Sequence, residues 1–112
     1  MLCELYLDAG RYQDIVDITN GMSNTDDITA LLVTFRGVAL RDLGHHDAPR
    51  EAFKEALKSK SRDAAIRHKA LAERAETYVA QSKPAMARKD LERILAEDAS
   101  FPDVLERLRE LA

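Results

Sequence analysis

The side chains most able to do chemistry are few and scattered. His45 and His46 stand next to each other and beside Asp47, a set that could begin a metal site. A metal ion needs three or four ligands converging on one point. Neighbouring residues point in different directions on a helix, and Asp47 is the natural N-cap of a following helix, so the pair reads as an exposed loop. His68 has no obvious partner in the sequence and reads the same way. Cys3 is the only cysteine. Nearby acids disfavour its thiolate, and it is expected to pack as a small apolar side chain. No glycine-rich phosphate loop is present, and no Ser/His/Asp or Cys/His set occurs at a telling spacing. The carboxylates sit on helix faces with bases nearby. The expectation is a protein that is not an enzyme, with no catalytic residue, no cofactor and no metal site.

The elements that carry these residues read as helices. Apolar residues make up 46% of the chain and charged residues 33%, a globular balance rather than a disordered one. The chain is rich in the strong helix formers Ala, Leu, Glu, Arg and Lys, and poor in the residues that favour sheets. Apolar stripes recur at three-to-four-residue spacing: Leu32, Phe35, Ala39 and Leu43, then Leu71, Ala75, Tyr78 and Val79, then Leu91, Ile94 and Leu95. Gly10, Asn20-Gly21 and Gly44 break the pattern. Asn24, Thr25, Asp47, Ser82 and Ser100 are candidate N-caps. Pro49, Pro84 and Pro102 are placed in first turns, and Ser100 to Asp103 resembles a capping box. The reading is all-α, with helices near 2–9, 12–19, 26–43, 48–58, 64–81, 84–97 and 102–111, joined as antiparallel hairpins.

The chain also repeats itself. Tyr6 and Gly10 are answered by Leu40 and Gly44, 34 residues on, and then by Tyr78 and Ser82, a further 38 on. A small residue stands three positions before each large one: Cys3, Gly37 and Ala75. Tyr6 and Tyr78 thus share a repeat position, which marks them as core side chains rather than stacking platforms. Second helices follow with matching apolar positions, as in Phe53 and Ala56 and in Leu91 and Ile94. These residues resemble the tetratricopeptide repeat family, whose period is 34 with small, aromatic, glycine, alanine, aromatic and alanine positions in order. The chain departs from the pattern at Pro49, at Ser82 and in the missing closing prolines. Four residues are inserted within Lys58–Arg67 and are expected to lengthen the helix near 64–81 at its start.

The resemblance implies a single domain: a partial repeat over 1–25, repeats over 26–61 and 62–99, and a capping helix over 100–112, stacked as a superhelix. It implies a protein–protein interaction module, a scaffold or adaptor, that takes a peptide or protein partner in a groove lined by the first helices of the hairpins. By repeat position the groove residues are Thr34, Phe35, Val38, Arg41 and Asp42, with Lys69, Glu73 and Glu76 from the next copy. Thr34, Val38 and Glu73 stand where a C-terminal carboxylate clamp would need amides or cations, so capture of chaperone tails is not expected.

Charge is unevenly spread. Residues 1–27 hold six acids and one base, and residues 50–69 hold seven bases and three acids, within a chain of net charge −3. The overall balance gives no pull toward nucleic acid or anionic lipid, and no apolar run is long enough for membrane insertion. A lone cysteine fits a reducing compartment, so the expected setting is the cytoplasm, within a larger protein of bacterial character. The alternative to a partner module is structural homo-oligomerisation: Leu2, Leu5 and Leu7 form a short N-terminal stub that is expected to continue into upstream sequence or to pack on a second copy as a homodimer.

Overall fold

The computed structural model describes residues 2–111, and every regular element among them is helical. The helices are α1 (Leu2–Asp8), α2 (Tyr12–Thr19), α3 (Asp27–Asp42), α4 (Ala48–Leu57), α5 (Ala64–Ala80), α6 (Pro84–Glu97) and α7 (Val104–Glu110). None is long and apolar enough to cross a membrane. The hinges after α1 and α3 close through Gly10 and Gly44, at φ of +72° and +91°, the left-handed region that glycine enters without a Cβ penalty. Ser82 takes the same conformation after α5, at φ 59°.

The caps differ from expectation. Asp26, not Asn24 or Thr25, caps α3: its carboxylate accepts from the Thr29 amide at 2.8 Å, and the Thr29 hydroxyl accepts from the Asp26 amide at 2.9 Å. Asp63 caps α5 by accepting from the Ala65 amide at 2.9 Å. Asp47 precedes α4 without capping it, because its carboxylate is turned to His46 and Arg50. Pro49 and Pro84 lie in first turns, but Pro102 falls before α7. The Ser100 capping box does not form: Asp103 is left-handed at φ 66°, and the Ser100 hydroxyl donates to Asp98 instead.

Each helix packs on the next in the chain, and α3 packs also on α1 and on α5. One cluster joins α1, α2 and α3 through Cys3, Ile15, Phe35 and Ala39. A second joins α3, α4 and α5 through Val33, Ala52, Ala56 and Ala70. The third joins α5, α6 and α7 through Leu71, Ala75, Tyr78, Leu91, Ile94 and Val104. Apolar burial of this kind, worth roughly 25 cal/mol per Å², is what holds helices this short in place, since α1 alone would not persist in water.

The inserted residues do not go where expected. With 17 residues, α5 is only one longer than α3, at 16, so most of the extra length lies outside it. The loop before α5 is pinned to the loop before α3 and to the first residue of that helix: Arg62 Nε donates to Asn24 Oδ1 at 2.6 Å, and the Asp63 amide donates to Asp27 Oδ1 at 2.9 Å. Asn24 is itself buried. Its amide nitrogen Nδ2 donates to the Glu55 and Ala56 carbonyls, both at 3.1 Å, and its backbone N–H to Glu55 Oε2 at 2.8 Å. It satisfies the open carbonyls at the end of α4 from another hairpin.

Candidate functional site

The face shared by α3 and α5 carries the residues singled out by repeat position, and the fold sorts them into two groups. Thr34 and Phe35 are buried, and Val38 is 8% exposed. Thr34 donates its hydroxyl to the Ala30 carbonyl at 2.9 Å, and Phe35 packs with Cys3 and Ile15. These three are packing side chains and leave next to no area for a partner. Arg41 and Asp42 lie seven residues on from Thr34 and Phe35, two turns along the same side of α3, so it is their position in the last turn of the helix that leaves them on the rim.

The charged members form the rim. Arg41 reaches across from α3 and donates to the Glu73 carbonyl at 3.2 Å and to Glu73 Oε2 at 3.1 Å. It also lies 3.6 Å from Asp42 and 3.9 Å from Glu76. With its donors spent on α5, Arg41 is a tie between helices more than a free contact. Lys69 holds its ammonium 5.6 Å from the centre of the Phe35 ring, a cation–π contact that covers the edge of the core. Asp42 and Glu76 remain exposed.

Beyond Glu76 the face opens into a cavity of about 270 Å³ between α5, α6 and α7. Ala75, Val79, Leu91 and Leu111 line it, with Glu76, Arg107 and Glu110 around them. Val79 is 49% exposed. Glu76 therefore joins the two regions, touching Arg41 on one side and the cavity on the other. Val79 belongs to an apolar stripe and, by repeat position, to the groove-facing set, but nothing in the sequence marks the gap between α5 and α7, which depends on where the last helix docks.

The side chains considered for chemistry separate as well. His45 and His46 are exposed in the turn between α3 and α4, with His46 Nδ1 2.9 Å from Asp47. Among the described residues no three of His, Cys, Asp and Glu gather closely enough to hold a metal ion. Cys3 is buried, and burial raises its thiol above the ordinary range. His68 is not a loop residue: it is 4% exposed on α5, 3.1 Å from Glu97, with its ring edge-on to Phe101. Arg67 donates to the same carboxylate at 2.8 Å. These hydrogen bonds, from Arg67 first and then His68, hold Glu97 below the usual carboxylate range. The pairing escaped sequence reading because 29 residues separate the partners and no local pattern links them.

Compared with protein families, curated proteins and solved structures, the chain finds no match.

Proposed function

We propose that this chain is a non-catalytic protein–protein interaction module of tetratricopeptide-like build, acting in the cytoplasm as a scaffold or adaptor. The peptide or protein partner lies along the α3–α5 face and sets an apolar side chain into the cavity beside Val79. The observation that supports this reading most is that cavity. A half-exposed valine opens onto apolar walls framed by charges of both signs, the arrangement that anchors one large side chain inside a polar rim. Asp42, Lys69, Glu73 and Glu76 supply the rim along the rest of the face.

The test begins with capture of partners by the full chain. Val79→Glu and Glu76→Lys then weaken the captured partner by about tenfold or more, with helix content unchanged by circular dichroism. Arg41 is a poor probe here, since replacing it also cuts the tie to Glu73. Affinity that survives both substitutions moves the site off this face.

A second reading, structural self-association, draws on α1, where Leu2 and Leu5 are 51% and 64% exposed. Mass that rises with concentration in light scattering, and falls back in Leu5→Glu, would favour it over the partner module.

A further inference from the structure

A second surface lies elsewhere on the molecule. Arg74 stands two residues before Glu76 on α5, roughly 200° around the helix at 3.6 residues per turn, and so faces away from the α3–α5 rim. Around it two hollows of about 410 and 530 Å³ share Arg74 and Tyr78 as common walls. The first is closed by Asp47, Arg50, Glu51 and Lys54. The second is closed by Ala85, Met86, Lys89, Asp90 and Arg93. Together they make one trough running from α4 across α5 to α6.

The charges in this trough are not balanced within it. Arg74 is taken up by Asp90, through Nε at 2.9 Å and Nη2 at 2.7 Å. Arg50 donates one Nη to Asp47 at 2.7 Å, while its Nε is closed off from solvent with no acceptor. Lys54, Lys89 and Arg93 form no ion pair among the described residues, and Glu51 is the one lining carboxylate left to face them. In a chain of net charge −3, a trough with three uncommitted cations runs against the overall sign. Its floor is not purely polar. Met86 is 44% exposed, and Tyr78 and Ala85 lie beside it.

We infer that the α4–α5–α6 trough is a docking site for an acidic segment of a partner protein, one that carries apolar side chains between its carboxylates. Lys54, Lys89 and Arg93 take the carboxylates, and the exposed Ala85 and Met86 take an apolar side chain. A carboxylate entering beside Arg50 meets a guanidinium held by a single hydrogen bond to Asp47, and charge-assisted bonds of this kind are among the strong ones. A nucleic-acid strand fits less well. Its unbroken run of phosphates would lie against Asp47 and Glu51, and the trough offers no exposed aromatic face for bases to stack on.

The experiment uses the full chain and fluorescence anisotropy with four labelled probes: a short peptide alternating Glu and Leu, its Gln-for-Glu counterpart, a Glu-only peptide and a single-stranded oligonucleotide. The Glu/Leu peptide binds best, loses affinity as salt rises, and binds about tenfold more weakly to Lys89→Glu/Arg93→Glu. Both positions are exposed and unpaired, so helix content stays the same, and Lys89→Gln/Arg93→Gln gives an intermediate loss. Val79→Glu leaves this binding unchanged, which separates the trough from the α3–α5 face. Equal binding of the Glu and Gln peptides, indifference to both double variants, or preference for the oligonucleotide overturns the inference.

Discussion

A Cβ built on Gly37 would stand 2.5 Å from Cε1 of Phe53. Gly37 lies in the middle of α3, where glycine weakens a helix by up to about 1 kcal/mol relative to alanine. Its presence is explained by the ring that fills the space. Phe53 is completely buried and has nowhere to retreat. Gly37→Ala is therefore expected to cost about 1–3 kcal/mol despite its better helix propensity, and Gly37→Leu more, read as a lower urea midpoint. Unchanged or increased stability in Gly37→Ala would mean that α3 and α4 sit further apart than described.

Arg74 and Asp90 form a two-point pair in which Asp90 is 4% exposed. Removing one partner strands the other charge, so Asp90→Ala should cost about 3–5 kcal/mol. Replacing both with apolar residues of similar size, Arg74→Met with Asp90→Leu, should recover most of that loss. Chemical denaturation of the single and double variants distinguishes a stranded charge from simple loss of packing.

Ser82 holds a left-handed conformation at φ 59° that costs a residue with a Cβ about 1 kcal/mol. It is exposed, so little besides the backbone is at stake. Ser82→Gly should raise stability by about 0.5–1 kcal/mol and Ser82→Val should lower it. Thermal melts of the two variants should move in opposite directions from the parent.

Acid should loosen the fold. Glu97 is held low by Arg67 and then His68, Glu55 by Lys58 and then the Asn24 amide, and Asp98 by Ser100. Each carboxyl has a lower pKa folded than unfolded, so its contribution is fully present above the ordinary carboxylate range, near about 4. It is lost as the pH falls through the folded value. Stability measured in urea should decline on acidification from about pH 5 toward pH 3. Glu97→Gln should flatten that decline, and an unaltered slope would remove Glu97 from the set.

Much of the helical framework can be read from the residues themselves. The stripe from Leu32 to Leu43 and the glycine after it place α3 to within a residue at each end. Gly37, Ala75, Tyr78 and Phe53 turn out buried, as small-plus-large alternation requires. What could not be read depends on distant partners. Asn24 has the chemistry of an N-cap, and nothing nearby in sequence shows that the end of α4 will claim it. His68 looks solitary until α6 brings Glu97 alongside. Of the residues singled out by repeat position, Thr34, Phe35 and Val38 are buried, because neither the repeat nor the helical period tells how far along α3 its neighbours will cover it.

The Asn24 junction has a consequence for how the chain comes apart. In a linear stack each hairpin touches only its neighbours, and such arrays can fray from the ends in stages. Asn24, in the segment leading into α3, is bonded to the last turn of α4 and to Arg62 ahead of α5. Opening any one of these segments breaks contacts in the other two. The segment from α3 to α5 should thus behave as a single cooperative block, and amide hydrogens there should exchange at one shared rate. In Asn24→Ala that block should divide, with the amides of α4 and those of α5 exchanging at different rates.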